Sequence, residues 1–566
     1  MPKIEVYREA LFGSIGKALS TTELEDLLPV AKAELDDYDE TEGIFKIELN
    51  DTNRPDLWST GGLGRQLRSY LGGETSTYDF FSSGKFAQET GNRLIEVDPA
   101  LENIRPFVAA FAVSGKAIDE VTLKDIIQTQ EKLCWNYGQK RKSIAMGVYR
   151  SDLMTYPVRF SAADPDATRF VPLQMEAELS LRQILEQHPK GQEFGNIVEG
   201  FGQYPFLADS NGEVLSFPPI INSNHLGAVM VGDKNLFVEM TGTDLKAILL
   251  AVSIVACDMA DAGFTILPVK TVYPYDTLYG REIVSPYYFQ SNCRAHIDEI
   301  NTMLGESFTV QEVSDFASKM GLRCTFDHES VTVAVPEYRN DFLHSVDLIE
   351  DIMIGRGTNE FEPIMPGDFT PGRLSNEELF CRRANDIMVG LGFQEMIYFY
   401  LGSKRDFIDR MNIDGTDVVH IANPMTENYE YVRNSILPCL LASESVSSNA
   451  VYPHRIFEIG KVAFLDEADN QGSITRNHLG ILSADTDTDY NEVHATVSAL
   501  LYYLSCDYSL EEAEDSRYIP GRCADIIYKG AKAGLFGELH PLVLDNWGIG
   551  VPCTACEVDL DSVLNR

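Results

Sequence analysis

The chain has 566 residues, with 46 Lys and Arg against 86 Asp and Glu, a formal charge of −40 and apolar residues at 44%. At roughly 150 residues per domain, the length suggests about four domains, each able to bury its own core. So acidic a balance excludes a protein that coats nucleic acid by bulk charge; any RNA contact has to come from a local basic patch or a basic partner.

The start, Met1-Pro2-Lys3-Ile4-Glu5-Val6, has no basic segment followed by an apolar core, so no signal peptide is expected. Residues 1–85 read as a first domain, closed by the Ser/Thr-rich stretch Thr75–Ser83. Residues 86–270 mix strands (Leu94–Val97, Phe107–Val113, Leu236–Met240) with helices (Leu123–Tyr137, Ser180–Gln187, Leu245–Ala262), an α+β pattern punctuated by the turn Asp209-Ser210-Asn211-Gly212. The apolar run Ile248–Cys257 is about half the ~20 residues a membrane span needs, so it reads as a buried helix. Pro268, Pro274 and Pro286 mark an extended linker over 267–286. A compact helix-rich unit follows over 287–362, within a domain 271–362. It contains Cys293–Gly305, a helix Val310–Met320 opened by Thr309 and stopped by Gly321, and a strand Val331–Val335. Pro363, Pro366 and Pro371 mark the last joint. Domain 363–566 alternates helices with strands Arg455–Phe464, His478–Leu482, Ala524–Tyr528 and Val558–Leu560, the pattern of a helix-flanked, mostly antiparallel sheet.

No P-loop, GxSxG or HExxH occurs, and Gly200-Phe201-Gly202 runs into Gln203-Tyr204-Pro205 instead of a dinucleotide-binding helix. One CxxC, Cys553–Cys556, has no second pair to complete a zinc ribbon. The ten cysteines read as packed thiols in a reducing, cytoplasmic location.

The densest chemistry is the carboxylate cluster that follows Val335-Pro336-Glu337-Tyr338-Arg339-Asn340. Asp347, Glu350 and Asp351 stand at i, i+3 and i+4 and are expected on one helix face, with Val346, Ile349 and Ile352 giving the apolar spacing; Asp341 lies in the preceding loop. Crowded carboxylates need a neutralising cation. Mg²⁺ suits oxygen ligands of this kind, whereas Arg339 or Arg356 would do the same work without a metal. Acids solvated in a helix's first turns are the third reading.

Those residues resemble the magnesium-associated domain of the phenylalanine–tRNA ligase β-subunit family, and the resemblance runs along nearly the whole chain. Asn53-Arg54-Pro55-Asp56-Leu57 with Gly62-Leu63-Gly64-Arg65 is similar to the family's N-terminal signature. His188-Pro189-Lys190-Gly191, Ser216-Phe217-Pro218-Pro219 and Val238-Glu239-Met240-Thr241-Gly242-Thr243 resemble its editing domain. Arg455-Ile456-Phe457-Glu458-Ile459-Gly460, Pro520-Gly521-Arg522 and Gly537-Glu538-Leu539-His540-Pro541 resemble its catalytic-like domain. The length points to the archaeal and eukaryotic branch, bacterial relatives being longer.

The resemblance implies Asp341, Asp347, Glu350 and Asp351 as Mg²⁺ ligands. It implies an α subunit in an (αβ)₂ heterotetramer that handles ATP and L-phenylalanine, because no glycine-rich motif ending in Arg occurs in 375–566 and Arg433 reads as structural. The C-terminal class II-like domain would then be a catalytically silent scaffold. A second implied activity is hydrolysis of Tyr-tRNA(Phe), since a phenylalanine pocket discriminates weakly against one added hydroxyl. Glu239 on its strand is the candidate acceptor for that hydroxyl, and Asn222, Thr241 and Thr243 are candidates to line the pocket and orient water. The basic cluster Lys140-Arg141-Lys142, beside Trp135 and Tyr137, is the candidate tRNA contact. Competing readings are a free-standing hydrolase of mischarged tRNA and a non-catalytic RNA-binding scaffold.

Overall fold

Phe45, Ile47 and Leu49 are buried and alternate with half-exposed neighbours, the period-two pattern of a strand with one covered face. Their strand, Ile44–Leu49, is the centre of a three-stranded antiparallel sheet between Lys3–Tyr7 and Ala33–Asp39. The structure, a computed structural model, describes residues 2–72, 76–82, 88–447 and 449–564, so the boundary expected at residues 83–85 lies outside the described residues. The contacts divide the chain into two units, Met1–Ile364 and Met365–Arg566.

In the first unit a ten-stranded mixed sheet dominates. Its core strands are Thr265–Val272, Phe107–Ser114, Leu236–Gly242 and Ile144–Arg150, in that order, and all seven residues of Leu236–Gly242 are buried. Helix Leu245–Asp261 packs on these strands and is apolar nearly all round, as a helix covered on all sides must be. The stretch 267–286 is not a linker. It contains most of the central strand Thr265–Val272 and all of the strand Glu282–Ser285 that pairs with it. Pro268 is tolerated because it is the last residue paired with Phe107–Ser114, and the strand changes partner immediately after it.

Residues 293–357 are less purely helical than expected. Cys293–His296, Ser330–Ala334 and Arg323–Phe326 form a three-stranded antiparallel sheet, packed with helices Ile297–Leu304, Val310–Lys319 and Ser345–Arg356. Thr309 caps the second helix reciprocally with Glu312.

The second unit is built on a seven-stranded sheet, antiparallel except where Gln394–Glu395 runs parallel to His454–Leu465 at one edge. His454–Leu465 pairs with Ser473–Ala484 over their full lengths. Helices Asn376–Gly390 and Tyr490–Tyr503 cover one face through Ala384, Met388, Val497 and Leu500. Cys553 and Cys556 are buried on one strand of this sheet, and all ten cysteines are free thiols.

Candidate functional site

Glu239 sits in the middle of Leu236–Gly242, opposite Ala110 on one side and Gly147 on the other, and is only 2% exposed. It lines a cavity of about 410 Å³ whose wall also includes Asn222, Ser216, His188, Arg141 and Met146. Tyr149 Oη lies 2.8 Å from Glu239 Oε1, and Glu239 Oε2 has no partner. The close approach depends on Gly147: a Cβ there would fall 2.0 Å from Tyr149 Oη and 2.6 Å from Glu239 Oε1. Burial pushes the Glu239 carboxyl up to about 7, against the opposing hydrogen bond from Tyr149 and the charge of Arg105.

Of the four editing candidates, Glu239 and Asn222 reach this cavity and Thr241 and Thr243 do not line it. Thr241 is on the same strand face as Glu239, but its hydroxyl accepts from Arg105 Nε at 3.0 Å and is buried beneath that guanidinium. The backbone N–H of Thr243 donates to Ser143 O. His188 is committed to local structure, its Nδ1 accepting from the Lys190 N–H and its Nε2 placed 3.2 Å from Leu173 O.

The loop bearing Lys140, Arg141 and Lys142 is strained. Gln139, Lys140 and Arg141 have φ of 50, 55 and 67°, three successive left-handed residues without a glycine, each costing on the order of 1 kcal/mol. Arg105 holds the loop from beneath by donating to Arg141 O and Lys142 O, both at 3.2 Å, and to Thr241 O at 2.6 Å. Arg141 clamps from above, its Nη1 donating to Pro219 O at 3.1 Å and Ile220 O at 2.8 Å. Arg141 is therefore a rim clamp more than a free phosphate ligand. Lys140 is exposed and stacks its ammonium over Trp135, which is 47% exposed, while Lys190 lies over Phe194 and lines the same cavity. Tyr137 is half-buried, with its hydroxyl accepting from Asn340. Arg105 and Tyr149 were not legible in advance: one precedes a proline at a strand start, the other is an aromatic in an apolar strand.

The carboxylate cluster does not converge as its spacing suggested. Asp351 is buried and Glu350 is 47% exposed at its side chain, because adjacent helical residues point about 100° apart. Val346, assigned to the apolar face, is exposed, and Leu348, Ile349 and Ile352 form the buried one. The buried Arg339 contacts both Asp341 and Asp351, its Nε donating to Asp341 Oδ1 at 3.0 Å. Arg54, paired with Asp56 at 2.8 Å, stands 3.9 Å from Asp341. Burial would raise the Asp341 carboxyl, but Arg339 and Arg54 override it and hold it well below the usual carboxylate range. Asp347 caps its helix by accepting from the Leu343 and His344 N–H groups at 2.6 and 2.7 Å. Glu350 pairs with Lys32 at 3.0 Å. No group of three or more His, Cys, Asp or Glu side chains is placed to hold a metal ion among the described residues. Asp341, Asp347, Glu350 and Asp351 thus do not fit a Mg²⁺ site as a set; Arg339 is the neutralising cation of the buried pair.

The N-terminal motifs serve the same junction. Arg65 pairs with Asp258 and, at 2.8 Å, with Asp261 on helix Leu245–Asp261, and its guanidinium lies 4.3 Å from the Tyr338 ring centroid. In the second unit, Arg433 is buried in a two-bond pair with Glu458 at 2.8 and 2.9 Å. Gly460 leaves room for it, since a Cβ would lie 2.2 Å from Arg433 Nη2.

Two family models match the chain: "Phenylalanyl tRNA synthetase beta chain CLM domain" over residues 362–560 and "tRNA synthetase B5 domain" over residues 293–357. Chains called phenylalanine–tRNA ligase beta subunit from Borrelia recurrentis (strain A1) and Borreliella burgdorferi (strain ZS7) are each 48% identical, over 566 and 569 residues, covering 100% of both partners in each comparison. A solved N-terminal fragment of the phenylalanyl-tRNA synthetase β-subunit from Pyrococcus horikoshii is similar with a TM-score of 0.58 and 34% identity, covering 63% of this chain and 100% of the fragment. Fold, motifs and relatives together define a subunit of an aminoacyl-tRNA synthetase. The full-length relatives are bacterial and of matching length, so shortness does not mark an archaeal or eukaryotic affiliation. The chain belongs to the phenylalanine–tRNA ligase beta-subunit family.

Proposed function

We propose that this chain works with an α subunit in an (αβ)₂ enzyme that attaches L-phenylalanine to tRNA(Phe), and that its own chemistry is hydrolysis of Tyr-tRNA(Phe). Of the domains 1–85, 86–270, 271–362 and 363–566, the second extends past 270 to strand Glu282–Ser285, which pairs with Thr265–Val272 in the same sheet; it is the proposed editing domain, and 363–566 is the proposed scaffold for the α subunit. ATP, phenylalanine and the Mg²⁺ of the ligase reaction are assigned to the α subunit, in the cytoplasm. Exposure of Ile397, Phe399, Met425 and Val451 on the second unit supports a partner there, because apolar side chains in such numbers seek cover.

The observation that carries the editing reading is the unpartnered, buried Oε2 of Glu239 on the wall of a cavity that mixes apolar and polar side chains. A tyrosyl hydroxyl donates to it; a phenylalanyl ring leaves it unpaired and is disfavoured. Lys140 and Lys142, which flank the cavity-lining Arg141, and Lys190 on the cavity wall are the proposed contacts for the RNA end, with Trp135 as a stacking surface beside Lys140. The test is hydrolysis of preformed Tyr-tRNA(Phe) by the holoenzyme. Glu239→Ala is expected to slow it on the order of 10²-fold, from the loss of a hydrogen bond to a charged group; an unchanged rate removes Glu239 from the site.

A further inference from the structure

How the pocket presents its acceptor is written in a second phenol. Tyr149 is fully buried in Ile144–Arg150, and its Oη lies 2.8 Å from both Glu239 Oε1 and Ser216 Oγ, with Asn222 Oδ1 at 3.4 Å. A phenol has one proton to give. It goes to the carboxylate, because a charge-assisted hydrogen bond is about twice as strong as a neutral one. Ser216 then donates to Tyr149 Oη, and the donors run in one direction, Ser216 to Tyr149 to Glu239 Oε1. Arg105, in the segment just before strand Phe107–Ser114, gives its hydrogen bonds to Thr241, Arg141 and Lys142, so it supplies charge and no direct bond to Glu239.

We propose, resting on the editing reading, that Tyr149 is the positioning residue of this pocket: its hydroxyl fixes one oxygen of Glu239 and leaves the other as the acceptor for the hydroxyl of a tyrosyl ester. The internal phenol occupies Oε1 in the way the substrate phenol occupies Oε2. The two bonds together, one phenol donating to each oxygen, require the ionised carboxylate, and Tyr149 favours that form in a site where burial opposes it. A protonated Glu239 would offer the pocket a donor instead, and the discrimination between a phenol and a bare ring would weaken. The titratable and charged groups around Glu239 are Tyr149 on the neighbouring strand, Arg105, Cys134 on the π-helical segment Leu133–Tyr137, and Glu131, Arg141, His188 and Lys190 on the cavity wall.

The experiment compares the wild-type holoenzyme with Tyr149→Phe, which removes one oxygen atom. The protonated carboxyl band of Glu239, identified in infrared difference spectra by its loss in Glu239→Gln, is titrated in both. Loss of the Tyr149 donor is expected to raise its midpoint by about one pH unit. The acidic limb of Tyr-tRNA(Phe) hydrolysis is expected to move with it, giving about a tenfold lower kcat/KM on that limb. Should Tyr149→Phe fail to fold, Ser216→Ala is expected to shift both midpoints in the same direction by less. An unmoved carboxyl midpoint overturns the proposal, even if activity falls. A midpoint that moves while the wild-type enzyme hydrolyses no Tyr-tRNA overturns the editing reading alone.

Discussion

Glu239 and Arg339 are both buried charges, with opposite consequences for stability. The folded chain holds the Glu239 proton to about pH 7, above the ordinary 4.5, so the folded state binds more protons than the unfolded one between those values. Stability attributable to this group therefore falls as pH rises from 4.5 through 7. Glu239→Gln is expected to remove that slope, recovering on the order of 3 kcal/mol at pH 8 relative to pH 4, read by urea denaturation at the two pH values. Asp341 runs the other way: held below its usual range by Arg339 and Arg54, it contributes stability above about pH 4 that is lost as pH falls toward its folded value. Arg339→Met strands two buried carboxylates and is expected to cost about 3–5 kcal/mol. A chelator is expected to leave the melting temperature of the wild-type chain unchanged; a chelator-induced drop reversed by Mg²⁺ would show that the carboxylates ligate metal after all.

At the scale of elements, the loop 139–142 is the place where local preference and tertiary demand disagree. Three left-handed residues are maintained by Arg105 below and by the grip of Arg141 on Pro219 and Ile220 above. Gln139→Gly relieves one of them, and after the entropic penalty of glycine it is expected to stabilise by about 0.5–1 kcal/mol in thermal or urea melts. Arg105→Ala is expected both to free the loop and to remove a charge that holds the Glu239 carboxyl down, raising KM for Tyr-tRNA(Phe). Most strands and helices were readable in advance. Leu94–Val97 and the Leu236–Met240 part of Leu236–Gly242 follow from dense β-branched and apolar residues, and the cap at Thr309 follows from Glu312 three residues on. Thr265–Val272 was not, because Pro268 looks like a breaker until the change of partner strand beside it is seen.

For the whole molecule, the decisive expectation is division of labour. The isolated chain is expected to form no Phe-tRNA, and purification at native abundance is expected to bring down an α subunit in equal amount; a lone chain that charges tRNA would reverse the assignment. The sequence alone determined the family and the inventory of charged residues, because those are properties of residues close together in the chain. What it could not determine was which charges meet. Arg65 reaches Asp258, 193 residues away, and the acids expected around a metal are divided among Arg339, Lys32 and a helix cap. Only the tertiary structure decides such pairings, because a buried charge is neutralised by whichever partner the packed domains bring within a few ångströms, and spacing along one helix carries no record of it.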